Sequence, residues 1–157
     1  MIDQDLKKII EEFFNKTGFD YRDVSINLNL ESGSYWCSVN SSDPRSLIGR
    51  EGEAIQAINY LVRRMVEVRY KEGAPRVTLD INNYQKDRED RIKTTAHMMA
   101  ERARFFKSRI ELEPMNAYER RIVHEFVSHH PDLTSESVGD GKSRRVVIVF
   151  KESLRKI

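Results

Sequence analysis

The stretch Leu47-Ile48-Gly49-Arg50-Glu51-Gly52-Glu53-Ala54-Ile55 decides how the first half of this 157-residue chain is read. Downstream of it, Ile55, Ile58, Leu61, Val62 and Met65 recur at intervals of three and four, which predicts one apolar face of a helix that the loop opens. The first amides of a helix lack intrahelical acceptors and carry the positive end of the macrodipole, so a sugar-phosphate chain can rest against them. Glycine at both ends of the tetrad Gly49-Arg50-Glu51-Gly52 removes Cβ atoms from that approach. Upstream, Asp43-Pro44 offers a cap and a first helical residue for a short helix ending at Gly49.

Working outward, residues 4–16 place Leu6, Ile9, Ile10, Phe13 and Phe14 on one helical face, and Gly18 stops the helix. Strict alternation over 24–30 and again over 35–40, joined by Ser32-Gly33-Ser34, predicts a hairpin. Gly73-Ala74-Pro75 ends the long helix, and 76–81 alternates as a third strand. The order through residue 82 is helix, strand, strand, helix, helix, strand. With the Ile48-Gly49-Arg50-Glu51-Gly52 loop and Ile55, this order resembles a type II KH domain.

The resemblance implies that the GxxG loop clamps the backbone of about four nucleotides while an adjacent apolar groove receives bases. Ile48, Gly49, Arg50, Glu51, Gly52 and Ile55 are then the nucleic-acid contacts of a domain over 1–82. The middle positions of such loops are often both basic, and Glu51 departs from that pattern, which implies weaker or more selective binding. Replacing both glycines by Asp is expected to weaken RNA binding with the fold intact.

The remainder, 83–157, reads as a small α/β domain. Asn82-Asn83 offers caps for a long helix with Asp87, Glu89 and Asp90 in its first turns and Arg102, Arg104, Lys107 and Arg109 in its last. Ile92, Ala96, Met99, Ala103 and Phe106 form its expected core stripe, with His97 one position off it. Asn116 caps a further helix to about Val127 that carries Arg120 and His124 four residues apart on one face. A guanidinium presents a fork of donors to phosphate, and an imidazole adds an N–H that gains charge if a phosphate raises its pKa. Residues 133–138 and 145–150 then read as two antiparallel strands about a turn at Gly139-Asp140-Gly141.

The stretch from Asn116 to His124, followed by Ser135-Glu136-Ser137 and Arg144-Arg145-Val146-Val147-Ile148, resembles the R-three-H (Arg-x-x-x-His) domain, which binds single-stranded nucleic acid. Lys142, Arg144 and Arg145 join Arg120 and His124 as candidate contacts. A KH domain followed at once by this domain resembles the Jag family of bacterial RNA-binding proteins. That resemblance implies a cytoplasmic, post-transcriptional regulator of single-stranded RNA, with single-stranded DNA as the alternative ligand. It further implies links to cell elongation and division, and pairing with a small KH-domain protein or a second copy. Many family members also carry an N-terminal Jag domain and linker that this sequence lacks, so it is either a short member or a piece of a longer one.

Composition excludes several other classes. Lys and Arg total 27 against 25 Asp and Glu, so any nucleic-acid face must come from local charge. From Lys142 onward six basic residues (Lys142, Arg144, Arg145, Lys151, Arg155, Lys156) face one acid, Glu152. No apolar run approaches the roughly 20 residues of a membrane span, and the acidic start Met1-Ile2-Asp3-Gln4-Asp5 is unlike a signal peptide. The single cysteine, Cys37, lies in a strand-like run and reads as a buried structural thiol.

An enzyme is the chief rival class, because His124, His129 and His130 lie near Glu119 and Glu125. The adjacent histidine pair fits no metal spacing, and the sequence has no Walker loop, HExxH or nucleophile elbow. No catalytic residue, metal or cofactor is therefore expected. The other rival, a protein-interaction module with a vestigial RNA face, draws on Glu51 and the low net charge.

Overall fold

The computed structural model describes residues 1–154, with side chains through Glu152. Its order is α1 (Ile2–Thr17), β1 (Asp23–Asn29), β2 (Ser34–Asn40), α2 (Pro44–Ile48), α3 (Glu53–Tyr70), β3 (Val77–Ile81), α4 (Tyr84–Phe106), β4 (Arg109–Glu111), α5 (Ala117–Ser128), β5 (Leu133–Val138), β6 (Arg145–Phe150) and α6 (Lys151–Leu154). The fold is α+β, and the helix-strand-strand-helix-GxxG-helix-strand order read from the sequence is present. Arg155 and Lys156, counted above in the basic end, lie outside the described residues. The chain forms two compact units, Met1–Lys86 and Asp87–Ile157.

In the first unit β1 pairs antiparallel with β2, which pairs parallel with β3 in the register Val39↔Ile81. Val24, Cys37, Val39, Val77, Leu79 and Ile81 meet Leu6, Ile10 and Phe14 of α1 and Ile58, Val62 and Val66 of α3 in one core. Burying each such side chain removes apolar surface worth about 1.5–3 kcal/mol, which outweighs the modest helix propensity of the β-branched residues in α3. Burial also pushes the Cys37 thiol up to about 12, so it stays protonated and inert. Leu61, expected on the core stripe, is half exposed.

β3 is an edge strand whose outward backbone groups would be orphaned under α3. Asn59 answers them: its amide accepts from Leu79 N–H at 2.8 Å and donates to Leu79 O at 2.8 Å and Ile55 O at 3.0 Å. One turn on, Arg63 Nε donates to Val77 O at 3.0 Å. Two side chains of α3 thus stand in for a fourth strand.

The start of α4 differs from the expected Asn82-Asn83 cap. Both asparagines take positive φ (48° and 60°), and the buried carboxylate of Asp80 instead accepts from the N–H groups of Gln85 and Lys86. Asn82 is spent elsewhere, accepting from Ser41 N–H and donating to Ser41 O.

The second unit has a three-stranded antiparallel sheet in the order β4-β6-β5. The sequence reading missed β4 and put Arg109 in the helix; Lys107, at φ 48°, breaks α4 just before it. Leu133, Val146 and Ile148 face Ala96, Ala100 and Ala103 of α4 and Val123 and Val127 of α5. Three fully buried alanines form the α4 side of this seam. Phe106 does not share the stripe as expected: it is 64% exposed, while Ala103 in the same last turn is fully buried in the core.

Candidate nucleic-acid interface

The Gly49–Gly52 tetrad is a turn in which three of four residues hold positive φ: Gly49 (73°), Glu51 (53°) and Gly52 (80°). Gly49 pairs this with ψ −177°, a region open essentially to glycine alone. The turn delivers the chain into α3, whose first residues receive no side-chain cap, with Gly52 as the capping residue in the left-handed region. The cradle is therefore backbone amides at an uncapped helix start, beside the guanidinium of Arg50, which is exposed and has no acidic partner among the described residues. Ile48 is partly buried against the core. Ile55, expected beside the ligand, is 1% exposed and belongs to the core, so it supports the turn from beneath. Asp43 likewise serves α2 indirectly, accepting from the Ser46 hydroxyl at 2.6 Å and from no helix amide.

On the second unit, α5 starts with a full capping box: Asn116 accepts from Glu119 N–H at 2.9 Å, and Glu119 accepts from Asn116 N–H at 3.0 Å. That fixes the first turn and aims Arg120 and His124 along one face. Arg120 Nη1 donates to Met115 O at 2.8 Å, and Met115 N–H donates to Arg144 O at 3.1 Å, tying the guanidinium to the start of β6. His124 is held at both nitrogens, Nδ1 by the Ser135 hydroxyl at 2.7 Å and Nε2 by the Ser137 hydroxyl at 2.8 Å. The two serines are two apart on β5 and so point to one side of the sheet.

Desolvation, and secondarily the charge of Arg120, hold the His124 pKa below the ordinary imidazole value. The ring is neutral at neutral pH, with one nitrogen donating and the other accepting. The ring, expected from sequence to gain charge only beside a phosphate, is here a neutral clamp between α5 and β5. Ser135 and Ser137 were absent from the sequence-derived site; their signal was two hydroxyls at alternate positions on the strand face that otherwise carries core residues.

The arginines of this unit divide sharply. Arg88 pairs with Glu119, Arg104 with Asp132 and Glu101, Arg109 with Glu136, and Arg145 with Glu111. Arg145, a candidate contact, is thus committed to a carboxylate. Half-buried Arg120 has no acidic partner among the described residues. Lys142 sits exposed in the turn before β6, and Arg144 donates to Gly139 O at 3.1 Å and meets no acid among the described residues. The structure therefore brings together Arg120, His124, Ser135 and Ser137, ties the backbone of Arg144 to the Arg120 side through Met115, and pairs Arg145 with Glu111. Among the described residues no group of three or more His, Cys, Asp or Glu side chains could hold a metal ion, and no helix is long and apolar enough to cross a membrane.

The family model of the R-three-H domain matches residues 90–149, the span that contains this face. Over 134 residues, 85% of this chain, the sequence is 31% identical to the RNA-binding protein KhpB of Clostridium symbiosum. The chain is thus similar over most of its length to KhpB (Jag) RNA-binding proteins and carries an R-three-H domain over residues 90–149. KhpB of Bacillus subtilis is 32% identical over 131 residues, and KhpB of Streptococcus pneumoniae is 30% identical over 129. The matches span 60% of the C. symbiosum protein, 62% of the B. subtilis protein and 36% of the S. pneumoniae one.

Proposed function

We propose that this chain binds single-stranded RNA through two modules, a type II KH domain over 1–82 and an R-three-H domain over 83–157, and acts as a binding protein and not as a catalyst. The observation that carries the reading is Arg120: a half-buried guanidinium, held by one backbone carbonyl and without a carboxylate partner among the described residues, while Arg88, Arg104, Arg109 and Arg145 of the same unit are paired. Desolvating such a group without an anion is unfavourable, so the remaining donors call for one from outside. The relatives' description as RNA-binding proteins supports phosphate as that anion. The uncapped start of α3 beside Arg50 supports a second backbone contact.

Fluorescence anisotropy with a labelled oligouridylate at several salt concentrations tests this. Affinity of the parent falls with salt, and Arg120→Ala binds more weakly with a log–log slope shallower by about 0.7, the value for one single-strand phosphate. Unchanged affinity and slope would refute the assignment.

A second reading concerns protein partners. An apolar groove of about 550 Å³ runs between α1 and α3, lined by Ile9, Phe13, Leu61, Met65 and Val68. Leu61 and Val68 are exposed there, which favours pairing with a small KH-domain protein or a second copy. Sedimentation of Leu61→Glu against the parent, alone and with such a partner, decides it. The finer physiological reading, a cytoplasmic post-transcriptional regulator linked to cell elongation and division, follows from family resemblance and is tested by crosslinking the protein to cellular transcripts.

A further inference from the structure

The second unit carries another surface of the same chemistry, on the outer side of α4. Opposite the alanine seam, Arg91, Thr94, Thr95, Met98, Arg102 and Phe105 lie along one helical face, and all six are exposed. From Arg91 to Phe105 that face runs about 21 Å. At its end Phe105 is 81% exposed and its neighbour Phe106 64%, the rings standing edge to face with centroids 5.0 Å apart. Two adjacent phenyl rings left in water are the least expected feature of this surface.

Charge surrounds the rings. Between residues 102 and 109 the sequence holds four cations, Arg102, Arg104, Lys107 and Arg109, and no acid. Arg104 and Arg109 are neutralised by Asp132, Glu101 and Glu136, and Lys107 stands 3.8 Å from Glu152. Arg102 and Arg91 have no acidic partner among the described residues. Arg102 sits three and four positions before the rings, on the same side of the helix.

We propose that this outer face of α4 is a further contact for single-stranded nucleic acid, with bases stacked on Phe105 and Phe106 and phosphates held by Arg91 and Arg102. A polyanion whose bases have flat apolar faces satisfies both halves of the pattern at once: every base can stack on an aromatic ring, and a guanidinium forks onto phosphate. A lipid surface fits less well, because Thr94 and Thr95 interrupt the apolar stripe and the hydrophobic side chains are confined to Met98 and the last turn. The inference rests on the RNA-binding reading and adds a surface to it.

The test is an oligouridylate titration of the whole chain as parent, as Phe105→Ala/Phe106→Ala and as Arg91→Gln/Arg102→Gln, with thermal melts of each. None of these four side chains belongs to a core, so the melts should coincide. Stacking predicts that the double alanine variant binds roughly tenfold or more weakly with its salt slope unchanged. The double glutamine variant should bind more weakly with a shallower slope. If the parent binds and the alanine variant binds equally well, this inference fails and the Arg120 reading stands. If the parent itself does not bind, both fail. Phe-dependent sedimentation with phosphatidylglycerol vesicles, without any Phe-dependent loss of RNA affinity, would overturn the proposal in favour of a membrane.

Discussion

Placing a methyl group at Gly49 should damage the first unit more than its size suggests. At φ 73° and ψ −177° the backbone occupies a region that costs a side chain about 1–3 kcal/mol. A Cβ built there would also stand 2.7 Å from Ala54 Cβ and 2.8 Å from Ala54 N, inside any real contact distance. Ala54 lies in the first turn of α3, so relief requires moving the helix start, an overpacking cost of about 1–3 kcal/mol. The sum, about 2–6 kcal/mol, is a large part of the roughly 5–15 kcal/mol that holds an ordinary domain together. Gly18→Ala is the control: its φ is also 75°, but nothing lies within 4 Å of the added carbon, and it should cost only about 1–2 kcal/mol. The chain has one tryptophan, Trp36 on β2, so urea unfolding followed by its fluorescence reports on this unit alone. Equal midpoints for the two variants would refute the crowding argument. The same geometry overturns the expectation that Asp at both glycines spares the fold, and Arg50→Glu is the cleaner probe of the loop because Arg50 is exposed and meets no acid among the described residues.

Two further outcomes follow from buried polar groups. Asn59→Leu removes the amide that stands in for a strand and orphans Leu79 N–H and O; a loss of about 2–4 kcal/mol is expected, with faster hydrogen exchange at the Leu79 amide, and unchanged exchange would contradict it. For His124 the folded state favours the neutral ring, so its contribution is fully present above the ordinary value near 6.5, declines as pH falls through it, and levels off below the lower folded value. His124→Ala should abolish that segment of the stability–pH curve, and an NMR titration of His124 at or above the ordinary value would refute the sign.

Much of the first unit was legible because its signals are local. The apolar spacing in α1 and α3, the alternation of β1 and β2 and the paired glycines each act within one element. Asp80 as the cap of α4 was not legible, since its role depends on the positive φ of Asn82 and Asn83, which folds the chain back so that the carboxylate meets amides five and six residues on. β4 was hidden because only three residues pair, and helix-forming Arg109 and Glu111 flank a single strand former, Ile110. Ile55, which its spacing put on the apolar face of α3, is in the core, whereas Phe106, put on the stripe of α4, is exposed. Periodicity tells which residues share a face but not how wide the buried seam is: the last turn of α4 buries Ala103 and leaves Phe106 in solvent.

The same distinction explains the division of labour between Arg120 and His124. Spacing placed them on one face of α5 and suggested two equivalent phosphate donors. Their surroundings differ. β5 presents two hydroxyls on one face, one within reach of each imidazole nitrogen, so the ring bonds across the strand face and has no donor left over while neutral. Among the described residues Arg120 donates to a carbonyl from the loop before α5, which uses one of its five N–H donors. The ring therefore ties α5 to β5, and the guanidinium beside it keeps donors that the proposed reading assigns to a phosphate. Its charge also disfavours protonation of His124, so the cation that would attract a phosphate keeps the clamp beside it neutral. A phosphate arriving at Arg120 would screen that charge and raise the His124 pKa, so ligand occupancy and the protonation state of the clamp are linked.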